Sequence, residues 1–351
     1  MTKILNFPSK IPSQKPRKII LKSFLSPGDI VMLTAAVRDL KKAHGDKILV
    51  DVRTSADQIW ENNPYLTKLD EKDPDVRVIE AEYPLIHRSN TSPFHFIHGY
   101  RMHLEEVLGI NIPATDFKGD IHISDVEKSW ISQIEEMGIK DDFWIINAGG
   151  KTDFTAKWWN PESYQKVVDH FKGKITFVQI GEKNHFHQPI KGAINLIGKT
   201  DFRQLIRLVY HSVGVLSPVT AVMHLAAAVE MKSTPPKNRS AVIIAGGREP
   251  FQWEAYPNHQ YLHTNGALDC CDHGGCWASR ATLIGDGDKK DVENLCSYPV
   301  DHKRIYTVDG KPINFREAKC LNMITPKMVI EAVEKYYKGG VLKYNNKGGK
   351  K

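Results

Sequence analysis

The sequence predicts an α/β chain of two parallel-sheet domains with a separate cysteine-rich segment near its C-terminus. Three observations predict this. Apolar runs of strand length alternate with helix-period segments over residues 19–52, and a second such series begins near Asp142. Alternation of strand, helix and strand is the pattern of a parallel sheet with crossover helices. The length, 351 residues, suits about two domains. All the cysteines, Cys270, Cys271, Cys276, Cys296 and Cys320, fall in one late stretch, and the first 269 residues hold none.

In the first domain, expected over 1–140, Ile19 to Leu25 reads as a strand and Ser26 to Asp29 as a turn. Ile30 to Ala43 reads as a helix, with apolar Val31, Leu33, Ala36, Val37 and Leu40 at helical spacing. Lys47 to Val52 is the next strand. The stretch from Tyr83 to His103 is irregular and holds His87, His95, His98 and His103, read as exposed loop histidines, with the shaping of a ligand pocket as the alternative. A helix from His95 to Leu108 ends at Gly109.

The second domain, expected over 141–324, opens with a buried strand, Phe143 to Asn147. Pro161 to Phe171 is a helix with proline in its first turn. Lys174 to Ile180 is a strand, Asp201 to His211 a helix, Val213 to Leu216 a strand, Thr220 to Val229 an alanine-rich helix and Ala241 to Ala245 a strand. These two series make two Rossmann-like domains joined near 138–142. The cysteine-rich insertion covers 266–322. A closing helix over 325–338 carries apolar Met328, Val329, Ala332 and Val333 and is placed back on the first domain. A basic tail, 339–351, is expected to fray.

Composition narrows the class. Hydrophobic residues make up 41% and charged residues 25%, which suits a globular chain and not a disordered one. No apolar run approaches the roughly 18 residues of a membrane-spanning helix, and the polar, proline-punctuated start from Met1 to Lys18 lacks the apolar core of a signal peptide. The expected location is therefore the cytosol, where thiols stay reduced and clustered cysteines favour metal ligation. The net charge of +7 weakly favours anionic partners. A nucleic-acid surface would interleave aromatics with a basic stripe, and Lys157-Trp158-Trp159 is the one candidate.

Three segments carry candidate chemistry. Gly28-Asp29 follows the first strand, at the carboxyl edge of a parallel sheet, where ligands bind. Asp29 either takes a proton from an attacking hydroxyl or caps the following helix. Asn147-Ala148-Gly149-Gly150-Lys151-Thr152 follows the second domain's first strand, with Lys157 just beyond. Small residues there let backbone approach a ligand, and Lys151, Thr152 and Lys157 suit phosphate; the spacing is not that of a Walker A loop. Lys157 reads equally as a solvated lysine beside core tryptophans. In Leu216 to Ala228, Thr220 begins a helix whose first amides form an anion site, and His224 lies one turn in. A lone helical histidine is also a common structural residue.

These segments in this order resemble glycosyltransferase family 9, the heptosyltransferases of the lipopolysaccharide core and their relatives. The likeness is most specific over Ile194 to Val229, where Asn195-Leu196-Ile197-Gly198-Lys199-Thr200-Asp201 leads to His224-Leu225-Ala226-Ala227-Ala228. Gly28-Asp29 and Lys157-Trp158 resemble two further family motifs. The resemblance spans roughly 18–265 and implies the GT-B architecture, in which two Rossmann-like domains face across a cleft. It implies inverting transfer, with no metal needed, from a nucleotide-diphosphate donor, ADP-linked heptose by family default. The acceptor hydroxyl would sit on a saccharide, lipid-linked or protein acceptor. It also implies a cytoplasmic chain, at most peripheral to the inner membrane. Residue by residue, Asp29 would be the general base, Lys157 with Lys151 or Thr152 would meet the donor phosphates, Thr220, Ala221 and His224 would hold the diphosphate, and Glu182 would meet the ribose. One departure stands out. The family's Asp-Ser/Thr-Gly triplet is Val219-Thr220-Ala221 here, which leaves the donor open. Two competing readings are a GT-B sugar-nucleotide epimerase or hydrolase, and a metal-knuckle protein that binds nucleic acid.

The cysteines allow three readings. Cys271, Cys276, Cys296 and Cys320 supply the four thiolates of a tetrahedral zinc or iron site, with Cys270 the spare. Buried free thiols and disulfides are the others. A cysteine-bound iron beside a family 9 core is also a feature of the autotransporter heptosyltransferases. Asp286-Gly287-Asp288 is read as a solvated turn, not a metal-binding DxD.

Overall fold

The computed structural model describes residues 15–233 and 236–345, less the side chain of His87. Most of the polar N-terminal lead and the end of the basic tail lie outside the described residues. The first unit holds β1 (Arg17–Ser23), α1 (Pro27–His44), β2 (Ile48–Thr54), β3 (Val76–Glu80) and α2 (Gly99–Leu108). Its three strands are parallel in the order β2-β1-β3. A long extended segment leads from α2 to the second unit. That unit holds β4 (Phe143–Asn147), α3 (Pro161–His170), β5 (Thr176–Ile180), β6 (Ile194–Asn195), α4 (Phe202–His211), β7 (Gly214–Pro218), α5 (Ala221–Ala228), β8 (Ser240–Gly246) and β9 (His259–His263).

The second sheet is parallel in the order β6-β5-β4-β7-β8-β9. Counted within the unit, this is the 3-2-1-4-5-6 order of a dinucleotide-binding sheet, and its switch point lies between β4 and β7. The inner strands β5, β4, β7 and β8 are buried on both faces, which is why they read as largely apolar runs. The fold is the expected GT-B arrangement of two parallel α/β units.

Helix α1 is buried on all sides from Ile30 to Leu40. A helix apolar all round belongs to an interior; here the first sheet lies on one side and the second unit on the other. Its polar residues are satisfied locally. Arg38 donates to the carbonyls of Asp116 and Lys118 at 2.8 Å, pinning the connecting segment along the helix. Gly119 of that segment is wedged between α1 and α5. A β-carbon there would lie 2.6 Å from Val31 Cγ1 and 3.1 Å from Ala228 Cβ.

Three features depart from the sequence reading. The region of 266–322 contains an antiparallel hairpin, β10 (Pro299–Val308) and β11 (Lys311–Ala318), which turn signals alone did not reveal. The closing helix α6 (Pro326–Lys338) packs on α3 and β8 of the second unit, not on the first; buried Val329, Ala332 and Val333 join the cluster of Trp144, Tyr164 and Val167. Asp286 is no bare solvated turn, because it clamps the buried Arg280 with bonds of 2.9 and 2.7 Å while Asp291 holds the same guanidinium.

Arg239 closes the far end of α5. Its guanidinium donates to the carbonyls of Ser212, Ala226, Val229 and Glu230 at 3.0–3.2 Å. Burial pulls its pKa down to about 9, so it stays charged at neutral pH. Arg239→Ala strands four carbonyls with no donor, and urea denaturation should show a loss of about 3 kcal/mol or more.

Candidate active site

The carboxyl ends of both sheets open onto one cleft of about 850 Å³. From the first unit come Ser26, Gly28 and Asp29 after β1, Ser55 after β2, and Tyr83 after β3; from the second come Asn147 to Lys151 after β4, Gly181 and Glu182 after β5, Val219 to Val222 after β7, and Arg248 and Glu249 after β8. The strand ends put them there, because short loops at that edge are the first backbone free of the ladder.

Asp29 sits in the first turn of α1, its amide bonded to the Ser26 carbonyl at 2.8 Å. The Tyr83 hydroxyl donates to Asp29 Oδ1 at 3.0 Å. Burial raises the Asp29 pKa above the usual carboxylate range, against the lowering pull of Tyr83 and Lys157. Directly opposite, α5 begins. A β-carbon on Gly28 would lie 3.0 Å from His224 Cδ2 and 3.5 Å from Ala221 Cα, so the starts of the two helices touch. Asp29 and the turn into α5 therefore line the same cleft.

Thr220 precedes α5 at the switch point and accepts from Asn147 Nδ2 at 3.0 Å. Its hydroxyl also lies 3.0 Å from Ser217 Oγ, and it makes no side-chain cap on the helix amides. The Asn147 Oδ1 is buried without a partner. His224 is 4% exposed and shares a hydrogen bond with the Tyr256 hydroxyl at 3.0 Å; burial drives its pKa well below 6.5, so the ring is neutral.

Lys157 points at the same turn. Its Nζ lies 2.7 Å from Glu249 Oε1 and 3.4 Å from the Val219 carbonyl. Arg248 donates to the same Glu249 oxygen. Burial alone would raise the Glu249 pKa, but Lys157 and Arg248 outweigh it and hold the carboxyl below its ordinary value. Lys157 and Arg248 thus gather two cations around the Glu249 anion beside this turn. Sequence reading missed Arg248 and Glu249. The signal was present: Gly246-Gly247-Arg248-Glu249 directly follows the strand expected over 241–245.

Of the other expected residues, Lys151 reaches across the cleft to within 3.5 Å of Ser26 Oγ, and Glu182 lines the rim after β5. Thr152 starts a short 3-10 segment and does not line the cleft. The glycines of this loop admit a close neighbour. Phe186 exchanges backbone bonds of 3.0 Å with Gly150, and His187 bonds the Ala148 carbonyl at 2.9 Å, so the 185–187 loop walls this side of the cleft.

Two further readings are corrected. Trp158 and Trp159 are 0% and 1% exposed; Trp158 stacks on Phe186 and Trp159 donates to the Ile324 carbonyl at 2.9 Å. They are core residues and offer no face to a nucleic acid. His95 is no exposed loop histidine, since it is buried against Phe96, Phe117 and Tyr256 with its pKa lowered to about 3 by burial.

The cysteines lie behind the cleft. No disulfide joins them. Cys271 and Cys320 meet on Gly246 and Gly247: a β-carbon on Gly247 would lie 2.8 Å from Cys271 Sγ, and one on Gly246 3.1 Å from Cys320 Sγ. Burial, with the nearby Cys276, Cys296 and Cys271 adding to it, pushes the Cys320 thiol up to about 12. Among the described residues no three His, Cys, Asp or Glu side chains form a group that could hold a metal. The segment instead reaches the first unit: Asn90 donates to the Gly275 carbonyl at 2.8 Å and accepts from Trp277 Nε1 at 2.6 Å.

Residues 85–234 match the family model described as Glycosyltransferase family 9 (heptosyltransferase). By that match the chain is a glycosyltransferase. The matched span takes in Lys157, Thr220, Ala221 and His224; Asp29 and the cysteines lie outside it. Solved structures agree on the fold. The glycosyltransferase family 9 protein of Veillonella parvula aligns with a TM-score of 0.60 at 15% identity, over 92% of this chain and 97% of that one. The iron-containing dodecameric glycosyltransferase TibC of enterotoxigenic E. coli gives 0.58 at 15% identity, over 93% and 77%. The ADP-heptose lipopolysaccharide heptosyltransferase II of E. coli gives 0.54 at 14% identity, over 93% and 100%. No curated protein matches the glycosyltransferase by sequence.

Gly149 carries φ +120°, and a β-carbon there would lie 1.8 Å from the Phe186 carbonyl oxygen. Gly149→Ala must displace the 185–187 loop. It should weaken binding of a nucleoside diphosphate by about tenfold in calorimetry, with the fold retained by circular dichroism.

Proposed function

We propose that the glycosyltransferase moves a sugar from a nucleoside diphosphate donor to an acceptor hydroxyl with inversion at the anomeric carbon. The observation that carries this reading is the contact of the α1 and α5 starts, which puts Asp29 and the turn into α5 on one cleft. The amides, Lys157 and Arg248 favour the charge that builds on the departing diphosphate. Lys151 and Glu182 stand on the donor side of the same cleft. Thr220 and Ala221 shape the turn against which the diphosphate lies, and buried His224 supports that turn from beneath.

Asp29 is the general base. Tyr83 fixes Oδ1 and so orients the carboxyl, and Oδ2 takes the proton of the acceptor hydroxyl as the new glycosidic bond forms. Its raised pKa makes it a stronger base than an ordinary aspartate. In the family's donor triplet, Val219 has no carboxylate to offer; Glu249 supplies one to Lys157 in the same neighbourhood. ADP-linked heptose is the first donor to test, because TibC is solved in complex with ADP-D-β-D-heptose. A saccharide, lipid-linked or protein acceptor suits the open first-unit side of the cleft.

A structural zinc or iron on Cys271, Cys276, Cys296 and Cys320, with Cys270 adjacent, is a separable part of the proposal, as is membership of an iron-bearing subgroup. It is supported by the approach of two of these thiols, Cys271 and Cys320, to adjacent Gly247 and Gly246 and by the iron-containing protein of like fold. No transfer step runs through it.

Asp29→Asn should cut transfer by about 10³-fold or more with donor affinity within a few-fold of wild type, in a panel of nucleotide sugars that includes ADP-heptose. Activity requires the ionised carboxyl, so it falls as pH drops through the raised pKa. The acid limb of the wild-type profile should therefore have its midpoint above the ordinary aspartate value of about 3.9; a midpoint at or below it removes Asp29 as the base. For the metal, elemental analysis of protein as isolated should find about one zinc or iron per chain, lost in Cys276→Ser with Cys320→Ser. Fully folded, metal-free protein would sink the knuckle.

A further inference from the structure

The cleft holds a buried carboxyl that the transfer mechanism above does not use. Glu254 belongs to the short helical turn Phe251–Glu254 after β8 and lines the cleft. It is 4% exposed, and its Oε2 is buried with no hydrogen-bond partner. An unpartnered carboxyl oxygen in a protein interior is costly unless a ligand completes it. Trp253, beside it, packs on Phe96 and Tyr83, the residue that orients Asp29.

The surroundings decide its charge. The closest basic group is His224 on α5, with Nε2 3.6 Å from Glu254 Oε2, and that ring is neutral. Lys157 and Arg248 are committed to Glu249. Glu249 and Asp29 repel a further negative charge, Tyr256, Tyr261 and Tyr83 face it as neutral phenols, and His95 is neutral as well. Burial first, and then the Glu249 charge, raise the Glu254 pKa well above the ordinary range. Asp29, Glu249 and Glu254 are buried near one another, and environments that push their pKa values apart assign their roles. Glu249 is the anion that anchors the two cations, Asp29 is the base, and Glu254 is left as the acid.

We propose that Glu254 works as a neutral carboxylic acid that donates a hydrogen bond to a hydroxyl of the sugar bound between Asp29 and α5. It is a specificity-determining residue for the reaction, and no proton leaves it in the cycle. The inference rests on the transferase reading for its ligand and on the orphaned oxygen for its site. The ligand chemistry is a sugar hydroxyl, on either the transferred sugar or the acceptor.

The test compares wild type with Glu254→Gln and Glu254→Ala. Glutamine keeps the shape and a donor; alanine removes both, and circular dichroism checks that each folds. Difference infrared spectroscopy of wild type against Glu254→Gln at neutral pH should show a protonated carboxyl band lost in the variant. In transfer assays with the donor found active in the nucleotide-sugar panel, Glu254→Ala should lose about tenfold or more in kcat/KM, and Glu254→Gln should stay within about threefold of wild type. A raised KM for the donor alone assigns the hydroxyl to the transferred sugar, and one for the acceptor alone assigns it to the acceptor. A carboxylate band in place of the acid band, or Glu254→Gln as impaired as Glu254→Ala, overturns the proposal. Wild-type protein inert toward every donor defeats the transferase reading and the sugar partner together, whereas the infrared band by itself decides whether Glu254 is an acid.

Discussion

The contact between the starts of α1 and α5 is the constraint on which the rest of the molecule depends. Gly28 lies against Ala221 and His224, and Gly119 threads between Val31 and Ala228, so three backbone segments meet with no room for a side chain at either glycine. Neither unit could approach the other so closely with a larger residue there. The contact brings a carboxylate from one sheet edge to the helix amides of the other. It also buries α1 from Ile30 to Leu40, which explains why this stretch is largely apolar yet keeps Thr34, Arg38 and Asp39 satisfied by the connecting segment.

Electrostatics then sort the groups that this packing confines. Three carboxyls, two cations and several histidines share one cleft wall. Burial disfavours charge on all of them, so each survives as an ion only where a partner compensates. Glu249 has Lys157 and Arg248, Asp29 has the Tyr83 hydroxyl and the more distant Lys157, and the buried histidines have none. In the proposed reaction Lys157 and Arg248 face the departing diphosphate and Asp29 the attacking hydroxyl.

The cysteine-rich segment has a mechanical role whatever it binds. Its thiols rest on the glycines that end β8, and its Gly275 and Trp277 reach Asn90 in the first unit. Arg248 stacks between Phe154 and Trp277 and bonds the Ala278 carbonyl at 2.6 Å, so the same segment steadies a cation of the cleft. Transfer chemistry and the cysteine segment are therefore joined through packing, with no thiol in the cleft itself.

Local pattern carried much of the fold. The strands and helices of the second unit were legible because buried parallel strands are unbroken apolar runs and their helices start with Pro161, Asp201 and Thr220. Gly28-Asp29 and Thr220 to His224 stood out because their place after a strand is itself a local property. What depends on contacts between distant residues was not legible. In the hairpin, β10 is largely exposed and β11 buries only alternate residues over most of its length, so no apolar run announces it. The seat of α6 follows from which surface remains open once α3 and β8 are in place. The histidine in a turn-rich stretch became a core residue, and the tryptophans beside Lys157 became interior, because burial is decided by neighbours that the local sequence does not contain. The sequence by itself determined the order of elements and the residue types at each sheet edge, since backbone periodicity is a short-range matter. Only the tertiary structure decided which charges pair, which carboxyl stays neutral and which side chains share the cleft, because those depend on distances between segments far apart in the chain.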